Sequence, residues 1–285
     1  MPININTNMV SLRGQRLLNQ TSENLAGTFS KLSSGRRINR ASDDAAGLAI
    51  AESLRAQARV TGQALRNTND GISTIAIADG ALGEVATILN RLAELASQSA
   101  NGTITTTQRS VISNEFVALS SEIERIAAST EFNGIKLLSG NSVVTVQVGL
   151  GSGATSQIGF TNQVATLQGI GLGDAAGALT YSINGETETA AATAARLALD
   201  AVNNAIYSVG ASRGILGAVE SRLSTAINNL GVARENIVAA ESRVRDVDVA
   251  EEAANMTRLN ILQQAGAAVL AQANQAPTLA LQLLR

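Results

Sequence analysis

Both ends of the chain carry apolar residues at helical spacing and few charges. In residues 1–33, Val10, Leu17, Leu18, Leu25, Phe29 and Leu32 recur at separations of three, four and seven, as on an amphipathic helix. In residues 251–285 a narrow stripe runs through Leu259, Leu262, Gly266, Val269 and Ala273, and its small members permit another helix to come close. Chain termini usually fray. Apolar helices at both ends therefore predict burial of those ends, against each other or against other copies of the chain.

The interior is nested between them. Residues 34–42 (SGRRINRAS) are polar and basic and read as a linker. Ser42 then looks like an N-cap, with Asp43 and Asp44 at the positive end of the next helix. Helical spacing continues from Leu48 through Leu65, Ile75, Leu82 and Leu89 to Leu95, and ends at Asn101-Gly102, where glycine suits a left-handed C-terminal position. A helix of that length spans roughly 80 Å and needs partners along its side, so a bundle is expected. A shorter helix covers Thr107–Ser129, with Val111, Phe116, Leu119, Ile123 and Ile126 on one face. Asn133-Gly134 marks a turn, Val143–Val148 alternates as a strand, and Leu179–Ile183 reads as another strand before a second turn at Asn184-Gly185. Helical spacing returns over Thr189–Arg245, with Leu197, Val202, Ile206, Ile215, Val219 and Leu223 among its markers, and breaks at 246–250. The simplest arrangement pairs the first helix with the last and the second with the second-last. The fold class is mainly α: a helical bundle with small β-hairpins and a two-helix coiled coil of the termini.

Composition removes whole classes of chemistry. The chain has no histidine and no cysteine, which excludes the commonest general base, the usual soft metal ligands, disulfides and a thiolate nucleophile. With 2% aromatic residues the core must be built of Ala, Leu, Ile and Val. A net charge of -2 argues against nucleic acid or anionic membrane as a partner. Arg36, Arg37 and Arg40 lack an aromatic platform and read as a solvated linker that contacts neighbouring copies. Gly169, Gly171 and Gly173 lack the strand–helix setting of a dinucleotide loop. The start of the chain has no basic and apolar leader pattern, and no run reaches the roughly 20 apolar residues of a membrane span. No catalytic, cofactor-binding or metal-binding residue is expected, and the chain does not read as an enzyme.

The ordered motifs carry a resemblance. INTN (Ile5–Asn8), KLSSGRRINRASDDAAGLAIAE (Lys31–Glu52), ALRNTNDGIS (Ala64–Ser73), RLAELASQSANGT (Arg91–Thr103) and EFNGIKLL (Glu131–Leu138) occupy the first half. SRLSTAINNL (Ser221–Leu230) and NMTRLNILQQAGAAVLAQANQAP (Asn255–Pro277) occupy the second, before a leucine-rich end. Together these resemble a bacterial flagellin over residues 1–140 and 190–285. The resemblance implies a structural subunit that self-assembles into the extracellular flagellar filament used for swimming. It implies an inner domain D0 formed by residues 1–33 and 251–285, linkers at 34–42 and 246–250, and an elongated bundle D1 over 43–245 with its hairpins at about 135–188. The short stretch between the matched blocks implies that large outer domains are missing. Secretion through the flagellar type III export apparatus, a secretion chaperone and a filament cap are implied as partners besides the chain itself.

The same resemblance implies functional residues. Arg91, Leu95, Gln98 and Glu115 match the D1 positions that engage the Toll-like receptor TLR5, and they also fit packing between subunits. Val10, Leu17, Leu25, Leu32, Leu259, Leu262, Val269, Ala273, Leu281 and Leu284 would form the assembly surface of D0. The terminal leucines (Leu279, Leu281, Leu283 and Leu284) are similar to those read by cytosolic innate receptors and covered by the chaperone, with a filament-core contact as their primary role. A hook–filament junction protein of the same superfamily is the alternative reading. Such proteins usually diverge at NDGIS, LASQSANGT and QQAG, all present here.

Overall fold

The computed structural model describes residues 7–174, 177–185 and 187–283, with side chains described up to residue 275. Five helices dominate: α1 (Met9–Ser34), α2 (Ala45–Ser99), α3 (Thr106–Ser129), α4 (Glu188–Arg245) and α5 (Val249–Leu283). Short strands β1 (Glu131–Phe132), β2 (Ile135–Lys136), β3 (Val143–Gln147) and β4 (Gln157–Thr161) lie between α3 and α4. The chain divides into two compact units, Met1–Ala58 with Glu235–Arg285, and Arg59–Arg234.

In the first unit α1 and α5 pack side by side. Asn8 Nδ2 donates to the carbonyl of Ala273 (2.8 Å), Ser11 Oγ lies 2.7 Å from Asn274 Oδ1, and Gln263 Nε2 donates to Ser22 Oγ (3.2 Å). Residue numbers fall on one helix as they rise on the other, so the pair is antiparallel. Two glycines let the backbones close in. A Cβ on Gly14 would stand 3.2 Å from Leu270 Cδ1, and one on Gly266 would stand 3.4 Å from Leu18 Cδ1. Each helix thus seats a leucine of the other over a bare backbone. At the start of α2, the N-cap is Asp44, whose Oδ1 accepts the Gly47 amide at 2.8 Å. Ser42, the residue expected there, is too early: Asp43 Oδ2 turns back to accept the amides of Asn39 and Arg40 and shapes the preceding loop. Those two amide bonds, Arg40 first, hold the Asp43 carboxyl below its ordinary range.

The second unit has one core fed by α2, α3, α4 and the segments between them. Ile75, Leu82, Val85, Leu89, Leu92 and Leu95 of α2 meet Phe116, Ile123 and Ala127 of α3 and a stripe on α4 that includes Ala195, Ala198, Val202, Ala205, Val209, Leu216 and Leu223. Alanine thus does much of the work on α4, while Leu197 and Ile215, read from the sequence as period markers, point outward. Hairpin β1–β2 turns at Asn133 (φ 50) and Gly134 (φ 79), both left-handed as its two-residue turn requires. The Val143 strand has its partner in β4, in antiparallel register from Val143 opposite Thr161 to Gln147 opposite Gln157. Surrounding glycine and serine mask β4 in the sequence; its Ile158 and Phe160 alternate into the core. Leu179–Ile183 is not a regular strand: Leu179 forms an isolated bridge with Gly173, and buried Ile183 receives Ser99 Oγ at its carbonyl (2.6 Å). β3 lies directly on α2, where a Cβ on Gly71 would come within 2.9 Å of Val146 Cγ2, so only glycine fits there.

The α2–α3 turn departs further from expectation. Gly102 is not among the residues with positive φ. Instead the end of α2 is closed by Arg109, a fully buried cation on α3. Its Nε donates to the Ser99 carbonyl (3.0 Å), Nη2 to Asn101 (2.8 Å), and Nη1 to Glu188 at the first turn of α4 (3.1 Å). A guanidinium suits carbonyls at the negative end of a helix dipole. Arg109 takes the inward position one heptad before Phe116, and Val111 consequently faces solvent rather than the core. An 18-residue window of α2 reaches mean hydropathy 1.5, apolar enough by length and composition to span a bilayer, although no continuous apolar run of that length is present. Part of that apolar surface is core in this fold.

Arg109→Met removes a buried guanidinium that serves three carbonyls and should destabilise the bundle by about 3 kcal/mol, read by denaturant unfolding. Asp79 accepts Arg213 Nε and Nη2 at 2.7 and 3.1 Å, and these bonds hold its carboxyl below the ordinary value. A lowered folded-state pKa stabilises above the ordinary carboxylate range and ceases to do so as pH falls through the folded value. Asp79→Asn should therefore cost roughly 0.5 kcal/mol at pH 7, a figure appropriate to a half-exposed pair, and the difference should vanish once pH has fallen below the lowered folded-state value.

Candidate functional site

Two surfaces gather the residues that the sequence singles out. The first is the terminal pair. The apolar residues of α1 fall into two rows seven apart. Ser11, Leu18, Leu25 and Leu32 turn toward α5 or are at least half-covered, whereas Val10 and Leu17 face outward, Leu17 with 57% of its surface exposed. On α5, Leu259 is buried and Gly266 and Ala273 follow it along the seam, while Leu262 and Val269 face outward, Val269 with 62% exposed. Phe29, read from the sequence as part of the α1 stripe, is exposed, and Met9 and Leu12 on α1 and Ile261 on α5, which the sequence reading does not pick, add to the exposed apolar surface. The last three stand one to three positions from seam residues, so period alone ranks them as neighbours rather than members. The Leu281 side chain and the whole of Leu284 lie outside the described residues, as do the side chains of Leu279 and Leu283.

The second surface lies on α2 and α3. Arg91 Nε and Nη2 both donate to Glu115 Oε1 (2.9 and 2.8 Å), which ties the two helices across the surface. Arg91 Nη1 donates to Glu94 Oε2 at 2.9 Å. Bonds to Glu94 and then Glu115 raise the Arg91 guanidinium above its ordinary value, so it stays charged throughout the accessible range. Gln98, two turns along α2, is exposed. Leu95 lies between them in sequence but turns inward: at 2% exposure it belongs to the core with Leu92 and Phe116. The structure therefore brings Arg91 and Glu115 together as one preformed ion pair and puts Leu95 beneath the surface rather than on it. The polar groups here are charge-paired and lack a nucleophile–base geometry. Among the described residues no three His, Cys, Asp or Glu side chains converge.

The linkers are more ordered than their composition implies. Ile38 is buried, and Gly35 (φ 68) ends α1 in the left-handed conformation with its N–H on the Lys31 carbonyl. Arg37 donates its N–H to the Arg245 carbonyl (2.7 Å) and its Nη2 to the Val244 carbonyl (2.8 Å). The segment read as a solvated arginine linker is in part a cap on the end of α4.

Comparison with known proteins agrees with this architecture. Residues 5–143 match the bacterial flagellin N-terminal helical region and residues 199–284 the bacterial flagellin C-terminal helical region. The chain is 45% identical over 282 residues to a flagellin of Halalkalibacterium halodurans and 43% identical over 302 residues to a flagellin of Bacillus subtilis, each match covering 99% of both chains. It is 38% identical over 290 residues to the flagellar filament 33 kDa core protein of Treponema phagedenis, again over 99% of both chains. Among solved structures, a putative flagellar hook-associated protein of Vibrio parahaemolyticus shares the fold, with a TM-score of 0.59 at 15% identity over 72% of this chain and 100% of that one. With both helical regions matched and full-length relatives well above 30% identity, the chain belongs to the bacterial flagellin family.

Proposed function

We propose that this chain is the structural subunit of a bacterial flagellar filament, polymerising with copies of itself outside the cell, and that the outward rows of the terminal helices are its assembly surface. The observation that supports this most directly is the uncovered set Val10, Leu17, Leu262 and Val269 on a helix pair whose other face is already packed. A soluble surface rarely keeps so much apolar area unless a partner covers it. Copies that meet head to tail, without closing into a ring, generate a helical polymer. Apolar burial there offsets the entropy of ordering the terminal helices, so folding of the ends and assembly are coupled. On this reading residues 1–33 and 251–285 form D0, residues 43–245 form D1, and the type III export apparatus, a chaperone and the filament cap handle the chain before it is placed. The hook-associated likeness at 15% identity concerns fold only, and the NDGIS, LASQSANGT and QQAG motifs favour the filament subunit over a junction protein.

A second activity is supported by the Arg91–Glu115 pair. We infer that this face also engages a Toll-like innate receptor. Arg91 keeps N–H donors to spare beyond its two carboxylates and sits above a rigid core, the setting of an interface anchor. Leu95 then acts by supporting Arg91 from below, and Gln98 by direct contact.

Purified chain seeded with filament fragments should grow micrometre filaments visible by electron microscopy, with helicity by circular dichroism rising during growth. Removing residues 1–33 or 251–285 should abolish growth; a truncated chain that polymerises like the parent would overturn the assembly reading. Separately, Arg91→Ala should lower the potency of the soluble monomer in a receptor reporter assay by about tenfold, the scale of a modest interface anchor. An unchanged dose curve for folded monomer would remove the receptor role and leave the filament role standing.

A further inference from the structure

The two linkers meet, and their meeting has the geometry of a built site rather than a passive joint. Arg36 stands opposite Asp246 in an antiparallel bridge. The bridge is flanked by Arg37 N–H on the Arg245 carbonyl (2.7 Å) and Val247 N–H on the Gly35 carbonyl (3.2 Å). Behind it, buried Ile38 presses on α2 at Gly47, where a Cβ would lie 2.8 Å from Ile38 Cδ1. Arg245, the last residue of α4, has a side chain only 9% exposed and donates from Nη1 to Glu52 Oε1 of α2 at 2.7 Å. Arg55 approaches the same carboxylate at 3.9 Å. Four helix ends are thus joined here: the exit of α1, the first turns of α2, the exit of α4 and the entry of α5.

We propose that residues 35–38 and 244–247 form a clip that makes α1 and α5 order as one element in one register, with Arg245 as its positioning residue. The proposal rests on the filament-subunit reading and adds the means by which the terminal pair is aligned. The Arg36–Asp246 bridge has the same antiparallel sense as the seam that sets Ser22 by Gln263, Leu18 by Gly266 and Ser11 by Asn274. The seam itself is built largely of glycines, alanine and leucines, which tolerate a slip by a turn; backbone bonds at its root do not. Without the clip each terminal helix would hang from its own flexible segment, and each new subunit contact would have to order two independent chains. With the clip closed, ordering one terminal helix orders the other, so an arriving copy meets the outward rows of both helices together. Arg245 serves this by its side chain and its backbone at once: Glu52 fixes the guanidinium, and the carbonyl of the same residue accepts Arg37.

The test uses the full chain and reads the critical concentration for seeded growth. Arg245→Met should raise it by at least about tenfold, the kind of loss expected when preorganisation is removed. The main unfolding transition, reporting the bundle of residues 59–234, should stay where it is in the parent. Because the chain has no cysteine, the clip can be closed covalently by Arg36→Cys with Asp246→Cys. These two residues form a pair flanked by, rather than joined by, the ladder bonds, the kind whose Cα atoms stand close enough for a disulfide. Oxidation of that pair in the Arg245→Met background should restore growth to near the parental concentration, and reduction should remove it again. The clip is refuted if Arg245→Met grows at the parental concentration, or if the oxidised pair forms without restoring growth. These outcomes differ from failure of the filament reading, in which chains lacking residues 1–33 or 251–285 polymerise as well as the full chain.

Discussion

Long helices satisfy their own backbone everywhere except at their ends, and this protein depends on how those ends are met. With helices of 55 and 58 residues, almost all polar backbone is paired internally. What remains are the last carbonyls and first amides of each helix. The chain meets them with several devices: a left-handed glycine at the end of α1, Asp44 at the start of α2, buried Arg109 at its end, a Thr105–Gln108 capping box on α3, the Arg37 linker at the end of α4 and Asp248 at the start of α5. Two of these devices reach beyond the helix they cap. Arg109 joins the ends of α2 and α4, and Arg37 joins the linker after α1 to α4. Capping thereby becomes tertiary structure.

The same economy shapes the packing. With few rings available, close helix approach replaces large side chains. Ala195, Ala198, Val202 and Ala205 bring α4 into the core, Gly71 lets β3 lie on α2, and Gly14 and Gly266 each take a leucine from the facing helix. Small residues leave little tolerance for added volume, so the glycines matter for the space they leave as much as for conformational freedom. They also explain why the terminal pair is narrow. Two slim helices in contact bury one row each and leave the other row outside, the condition under which a further copy can add.

Much of this was legible in the chain itself. The helix spans follow from period and length, and Asn133-Gly134 announces its hairpin. Most of the positions where the structure differs share a cause. Val111 was placed inside because it is apolar, yet Arg109 holds the inward heptad position through bonds to carbonyls distant in sequence. Gly102 was expected to close α2, but the carbonyls it would have helped to satisfy were already taken by Arg109. Ser42 had cap chemistry and lost to Asp44 by position. β4 was hidden by its glycine-rich surroundings until β3 supplied its register. At Val111, Gly102 and β4 a partner from another element overrode a sound local preference, whereas at Ser42 the shape of the loop itself did.

By itself, then, the sequence determined that long apolar helices would exist at both ends and in the middle, that no thiol or imidazole chemistry was available, and that the family was flagellin. These follow from residue type and short-range spacing, which the chain carries wherever it folds. Only the tertiary structure decided which of two seven-spaced rows faces the seam. Val10 and Leu17 lie one residue before Ser11 and Leu18, a rotation of about 100° that period cannot resolve, and the contact with α5 turns the second row in and the first row out. It likewise decided that Leu95 is core while Arg91 is surface, and that two polar linkers form a bridge. Such choices rest on which surfaces meet, and that is settled only when distant segments are brought together.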